Sequence, residues 1–400
     1  MYKIKSIFLV IATIFFVTYS KPLRIIGVMT GTSCDGIDMS CLLIDKESFK
    51  FEWFESYPYP KELRNRVLEL QKENYKMTLH EILQLDHDIG LCFAEIIAKL
   101  IDEKKDNIDL IALHGQTVAH YPYDGTTEQL GDPSLVAYKT GISTVYNFRK
   151  GDLAAGGQGA PLVPIFHKLL ISSYKHLKNG IAIHNIGGIS NFTYLCDDGQ
   201  MIGFDTGPGN MYIDAAVARV TDGIHLFDPD GSFALRGKII PDVLQQLLEH
   251  KFFSLSPPKS TGRDDFNFSK INHMFVNKDD DMIATLTMLT VESIARAYEN
   301  WIIGKGYNLS TIIICGGGAY NKTLMNWLQN RLPSIKIISM NDIGLNNQAI
   351  ESQACAYWGY LSLYGEPLGG TWTGADSRKA VPGFLIPGKN WQELVHKLQF

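Results

Sequence analysis

Apolar and polar positions alternate in blocks that predict strand–turn–strand units followed by helices. Over residues 24–44, Ile25, Ile26, Gly27 and Val28 form one apolar run, a polar turn follows at 31–36, and a second run spans 37–44. Residues 61–104 predict helices. Ile82, Leu85, Ile89, Phe93, Ile96 and Leu100 recur at spacings of three and four, which makes one buried stripe. A short apolar strand at 108–113 then stops at His114-Gly115-Gln116-Thr117. The same order recurs later. Residues 181–195 predict strand, Gly-rich bend and strand, with Asn185-Ile186-Gly187-Gly188 at the bend. A long helix carries Ile283, Leu286, Thr290, Ile294, Ala297 and Trp301 on one face, and a strand at 311–314 stops at Cys315-Gly316-Gly317-Gly318.

Two α/β halves of like design follow from this order, although the repeat is not visible letter by letter. Ligands of such sheets lie beyond the carboxyl ends of the strands. The boundary is expected between 160 and 180. That gives one domain of 23–170, with about 345–400 packing back on it, and a second of 171–344. The length of 400 residues suits two domains. Hydrophobic residues at 45% and charged residues at 20% are the mix of a globular protein. The net charge of −5, without a basic block, points away from a nucleic-acid surface. It leaves room for a nucleotide, because phosphates are held by backbone N–H groups and a metal ion.

The six cysteines contain no C-x-x-C pair and sit among apolar or glycine residues, so they read as reduced thiols. Residues 1–22 form an apolar tail outside the fold. Lys3 and Lys5 precede an apolar run at 7–17, then Thr18, Tyr19 and Ser20, which is the pattern of an export signal. An upstream start that adds a tail to a cytoplasmic enzyme gives the same letters.

Five segments carry candidate chemistry. In Gly31-Thr32-Ser33-Cys34-Asp35-Gly36-Ile37-Asp38 the glycines allow close backbone approach, the hydroxyls donate, and Asp35 and Asp38 could hold Mg²⁺. No Gly-Lys-[Ser/Thr] ending makes it a Walker A loop. An ordinary hairpin turn explains the same composition. Asp205 follows an apolar stretch and precedes Thr206-Gly207-Pro208-Gly209-Asn210. A carboxylate at a strand end beside apolar neighbours suits a general base, and a turn-fixing Asp is the plain alternative. The loops at Gly187-Gly188 and Gly316-Gly317-Gly318 could cradle phosphate or adenosine. Arg149, with Asp152 and the segment 156–161, could bind a carboxylate in bidentate fashion, or could form a surface ion pair with Asp152. His114 and His120 lack further ligands at metal spacing. Asp228-Pro229-Asp230-Gly231 starts like a calcium loop but has Ile239 where a bidentate Glu is needed, so it reads as a turn. Asn191-Phe192-Thr193 matches a glycosylation acceptor by chance. Glu351 suits the first turn of a helix on dipole grounds alone.

Taken together, the chain resembles the anhydro-N-acetylmuramic acid kinase family. The matching stretches occur in family order. They are Gly27-Val28-Met29-Thr30-Gly31-Thr32-Ser33-x-Asp35-Gly36-Ile37-Asp38, His114-Gly115-Gln116-Thr117, Phe148-Arg149-x-x-Asp152, 156–164, 185–191, 203–210, Lys259-Ser260-Thr261-Gly262-Arg263 and Gly316-Gly317-Gly318-Ala319-x-Asn321. The resemblance implies the sugar kinase, Hsp70 and actin superfold, with two ribonuclease-H-like domains and ATP in the cleft between them. It also implies a cytoplasmic, ATP- and Mg²⁺-using enzyme, usually dimeric, that turns 1,6-anhydro-N-acetylmuramic acid into N-acetylmuramic acid 6-phosphate. By that resemblance Asp205 is the catalytic base, 31–38 the ATP phosphate loop, and Arg149 and Glu351 sugar contacts. Cys34 fills a variable place, and Asp264-Asp265 stands where many relatives carry Glu. Three competing readings are a kinase for another sugar, a nucleotide-driven binding protein and an ATP-independent glycosidase. The binding protein would need a peptide-binding segment that the sequence lacks.

Overall fold

The computed structural model describes residues 21–31, 34, 36–45, 48–70, 75–173, 180–196, 201–262, 265–376, 378 and 382–398. The apolar tail and Thr32, Ser33, Asp35, Arg263 and Asp264 lie outside the described residues. The first half of the chain forms β1 (Leu23–Met29), β2 (Gly36–Ile44), β3 (Phe49–Pro58), α1 (Lys61–Leu70), α2 (Leu79–Lys104), β4 (Leu110–Leu113), β5 (Gln116–Tyr121), β6 (Thr126–Leu130), α3 (Pro133–Thr140), β7 (Thr144–Tyr146), α4 (Phe148–Ala154) and α5 (Pro164–Ser173). There follow β8 (Ile181–Ile186), β9 (Ile189–Leu195), β10 (Met201–Pro208), α6 (Met211–Val220), α7 (Ser232–Arg236), α8 (Pro241–Leu248), α9 (Lys251–Ser254), α10 (Phe268–Ile271), α11 (Asp280–Trp301), β11 (Thr311–Cys315), α12 (Lys322–Arg331) and β12 (Lys336–Ser339). The chain closes with α13 (Ile350–Leu363), β13 (Phe384–Ile386) and α14 (Trp391–Leu398).

Two mixed sheets share one plan. The first runs β3-β2-β1-β4-β7 with β13 on the β7 edge, and the second runs β10-β9-β8-β11-β12. In each, the first three strands form an antiparallel meander, and the fourth lies parallel to the first. The fifth lies parallel to the fourth. This is the duplicated, ribonuclease-H-like α/β arrangement that the sequence leads one to expect. A third small sheet, β5-β6, is a hairpin after β4.

Apolar side chains sort by face as strand geometry requires. Ile26 and Val28 of β1 point into a core with α2, while Leu23 and Ile25 point into a core shared with α5, α13, β8 and β11. The far face of the second sheet packs on α11. Of the stripe expected on α2, Leu85, Ile89, Phe93 and Leu100 are buried. Ile82 and Ile96 are only partly so, and Ile97 takes the buried place, because the helix turns by 3.6 residues and not by a strict three or four. A reciprocal cap between Thr78 and Glu81 starts that helix.

Close approach between α13 and β1 fixes the centre. A Cβ on Gly27 would lie 2.0 Å from the Ser352 carbonyl oxygen and 2.3 Å from the Ala356 nitrogen, both backbone atoms. Ser40 and Ser352 share a buried hydroxyl bond of 2.7 Å, and the Trp358 indole donates to the Leu162 carbonyl. The helix N-terminus, with Glu351 in its first turn, is thereby set against the ends of β1 and β2. Gly27→Ala is expected to destabilise the fold by about 1–3 kcal/mol or more, because neither backbone can yield. A urea denaturation midpoint equal to that of the unsubstituted protein would show that α13 does not sit this close.

Candidate functional site

Asp205 lies inside β10, two-thirds along it, and not at a strand end as the sequence suggests. The strand runs on to Pro208 and bulges between Asp205 and Gly207. Thr206 is the extra residue of the bulge, and Gly207 after it has φ 138°. Asp205 is only 5% exposed. Its amide donates to the Lys259 carbonyl at 3.1 Å, and its carboxylate accepts the Thr261 N–H at 2.8 Å. Residues 259–261 therefore strap the edge of the second sheet. Burial pushes the Asp205 carboxyl up to about 7, against the opposing pull of the Thr261 N–H and of the charges on Arg149 and Lys259. A carboxyl near neutrality in a desolvated place can act as a base at ordinary pH.

Arg149 comes from α4 in the first half. Its Nε donates to His114 Nε2 at 3.1 Å, and its Nη1 donates to the Gly159 carbonyl at 3.0 Å. His114 Nδ1 lies 2.9 Å from the Gly115 carbonyl. A neutral imidazole with its hydrogen on Nδ1 satisfies both contacts. Burial, and then the Arg149 charge, hold His114 down at about 3, so it stays neutral. The surface pair between Arg149 and Asp152, one of two readings open from sequence, is absent. Asp152 is 2% exposed, takes the Gly159 N–H at 2.7 Å and the Thr373 hydroxyl at 2.8 Å, and so holds the loop whose carbonyl holds Arg149. Arg149 is sensed by three carboxylates: Asp205, Glu351 and Asp152.

Glu351 accepts a hydrogen bond of 3.0 Å from the Asn185 amide at the end of β8. This bond ties α13, which packs on β1 and β2, to the second sheet. Burial raises the Glu351 carboxyl, Asp38 raises it further, and Arg149 and Asn185 oppose both. Asp38 sits on β2, opposite Met29, and accepts the Ser56 hydroxyl at 2.6 Å. Burial raises it too.

The first loop is described only in part. Gly31 is exposed, and its carbonyl takes the Cys34 N–H and the Gln116 amide. Cys34 is buried with φ 54°, and Gly36 and Ile37 open β2. Thr32, Ser33 and Asp35, the metal ligand expected from sequence, lie outside the described residues.

In the second half, Gly187 and Gly188 form the β8–β9 turn. Their carbonyls accept the N–H groups of Gly209, Asn210 and Met211, which joins the turn to the start of α6. Gly316 and Gly318 pack on the end of β8: a Cβ would lie 2.2 Å from Asn185 Oδ1 and 2.4 Å from the Ile186 side chain, respectively. Close packing is thus a sufficient reason for these two glycines. Gly317 has room, with Asn210 Nδ2 at 3.4 Å from such a Cβ. The acceptor-like Asn191 is a strand residue of β9 facing Asp205 in register, and not part of a loop. None of the six cysteines is bridged. No group of three or more His, Cys, Asp or Glu side chains among the described residues could hold a metal ion.

The family model for anhydro-N-acetylmuramic acid kinase matches residues 23–387. The chain belongs to that family. It is 40% identical over 364 residues to the anhydro-N-acetylmuramic acid kinase of Caldanaerobacter subterraneus subsp. tengcongensis, covering 84% of this chain and 90% of the relative. It is 36% identical over 378 residues to the enzyme of Aliivibrio fischeri, covering 91% and 99%. Among solved structures, it is similar to the activator of the 2-hydroxyisocaproyl-CoA dehydratase from Clostridium difficile with bound ADPNP, at 10% identity and a TM-score of 0.39, over 84% of this chain and 94% of that one. A member of this kinase family is an ATP-using phosphotransferase. No helix among the described residues is long and apolar enough to cross a membrane.

For this kinase, three neighbours of the site were not readable as such from sequence. Asn185 reads as part of a glycine-rich bend, His114 as a rejected metal ligand, and all three as members of family-matching stretches, none with a role of its own. The Asp205 carboxyl should titrate near 7 in ¹³C-Asp-labelled protein, about three units above an ordinary Asp. A midpoint near 4 would mean that water reaches it.

Proposed function

We propose that this kinase takes 1,6-anhydro-N-acetylmuramic acid, ATP and water and yields N-acetylmuramic acid 6-phosphate and ADP, as a cytoplasmic homodimer in cell-wall recycling and amino-sugar catabolism. The observation that carries the chemistry is the buried carboxyl of Asp205, raised to about 7 and facing the positive charges of Arg149 and Lys259. In the proposed reaction Asp205 accepts a proton from the water that attacks C1. The C1–O6 bond breaks, and the freed O6 takes the γ-phosphoryl group. One base thus begins both steps, and the rest is positioning and charge neutralisation. Arg149, held by His114 and Gly159, offers its remaining guanidinium donors to the sugar's carboxylate. Glu351, fixed by Asn185, accepts from the sugar.

The loop 31–38 and the turns at Gly187-Gly188 and at 316–318 would hold the nucleotide. This fits a division of the chain into 23–170 with 345–400, and 171–344. Asp38 suits Mg²⁺. Asp38 is an oxygen donor on β2 that burial raises, and a nearby cation would relieve it. Asp35 completes the proposed set. Bound Mg²⁺ supplies neutralisation of phosphate charge.

A coupled ADP-release assay with the anhydro sugar tests the reaction, and the product should gain one water and one phosphoryl group in mass. ADP release with N-acetylglucosamine and none with the anhydro sugar would indicate a different substrate, and sugar cleavage without ATP would indicate a glycosidase. Asp205→Asn should fold and lose turnover by about 10²–10⁴-fold. Activity of the unsubstituted enzyme should fall as pH drops through about 7, because the base works only when ionised. Asp35→Ala should raise the KM for Mg-ATP more than that for the sugar, and equal effects would leave Asp35 a turn-shaping role only.

A further inference from the structure

Lys259 is the least expected side chain near Asp205. It is 5% exposed. Its ammonium donates to a single neutral acceptor, the Phe252 carbonyl, at 3.1 Å. It stands 4.5 Å from the ring centroid of Phe252 and 5.6 Å from that of Phe204, the residue before Asp205. An aromatic box with one carbonyl would accept an apolar side chain at lower desolvation cost than an ammonium. The ring faces repay part of that cost. The remaining compensation is the nearby carboxylate: among the described residues, Asp205 is the charged group that supports the Lys259 charge.

The backbone makes the pairing rigid. The Lys259 carbonyl accepts the Asp205 N–H, and two residues on, the Thr261 N–H grips the Asp205 carboxylate. The other cation acting on Asp205, Arg149, arrives from α4 and also answers to Glu351 and Asp152. Among the described residues no second carboxylate acts on Lys259, which belongs to the same half as β10. We propose that Lys259 is a positioning residue that keeps the Asp205 carboxylate ionised and aimed, independently of Arg149. This rests on the reading of Asp205 as the base.

The groups that face this pair bear on the test. From α4 comes Arg149, from the strap come Lys259 and the Thr261 N–H, and from β9 comes the neutral Asn191. Asp265 accepts the Thr261 hydroxyl at 2.8 Å, and His250 lies within its field. The Lys259 ammonium is itself lowered by burial to about 8, so its support fades as pH rises through that value. The sign is fixed: removing a cation from beside a carboxylate raises the pH at which the carboxylate ionises.

The experiment is the pH profile of kcat/KM for the anhydro sugar in the full chain. Lys259→Met should move the acid limb upward by about one pH unit or more, which is about a tenfold loss at pH 6 beyond any uniform loss. Lys259→Arg, which keeps the charge, should leave the limb in place. Lys259→Gln retains a donor for the Phe252 carbonyl and carries the same test if the Met variant does not fold. A uniform fall at every pH with the limb unmoved would overturn the proposal. So would failure of both neutral variants to fold, since Lys259 would then be holding the scaffold. Asp205→Asn separates the two ideas. If it remains active, the base assignment fails; if it is inactive while the Lys259 variants keep their limb, only the role of Lys259 fails.

Discussion

A carboxylate withdrawn from water must find fixed partners or take up a proton, and this constraint organises the centre of the molecule. Asp205 is 5% exposed and meets it with one backbone N–H and two cations. The N–H and Lys259 come from a strap on the same sheet, while Arg149 comes from the other half of the chain. The ionisation of one side chain therefore depends on how the two halves pack. Glu351 repeats the pattern, since its hydrogen bond comes from Asn185 of the second sheet and its supporting cation is again Arg149.

The scaffold delivers these groups by duplication and close packing. Two sheets of like order each end their first hairpin in a turn of small residues and their fourth strand in a loop. A helix brought to within backbone contact of β1 at Gly27 carries Glu351 to the same edge. Small residues at these contacts are a packing requirement before they are a binding feature. Gly316 and Gly318 would collide with β8 if they bore a Cβ, whatever ligand is present. Glycine-rich loops in the sequence thus carry two messages, and only coordinates separate them.

That distinction marks what the sequence could tell. Buried strands with continuous apolar runs, such as β1, β4, β8 and β11, were legible, as were α2 and α11, because burial imposes a period that composition preserves. The edge strands β3 and β13 and the β5–β6 hairpin were not, since their burial is partial and their residues mix polar and apolar on both faces. Asp205 was nominated, but its place inside a bulged strand was hidden by Thr206-Gly207-Pro208-Gly209, letters that read as a turn. Glu351 had a complete local explanation in the helix dipole, and its bond to Asn185 spans 166 residues, beyond any local pattern. Lys259 sits in a polar stretch without periodicity. Its burial depends on Phe252 of α9 and on Phe204 of β10.

The sharing of Arg149 has a consequence for how the site would respond to its substrate. Coulomb interactions add, so Arg149 acts on Asp205, Glu351 and Asp152 at once, and a fourth anion bound to its free donors would bring its own negative charge close to these carboxylates. On the proposed reading that fourth anion is the sugar's own carboxylate. Its arrival would oppose the support that Arg149 gives Asp205 by like-charge repulsion and would also expel water, and both changes raise the carboxyl further. A base that relied on Arg149 alone would thus be protonated by the act of binding what it must react with. A second cation offsets that repulsion, and the strap at 259–261 supplies it on the strand's own side together with a backbone donor that no ligand titrates.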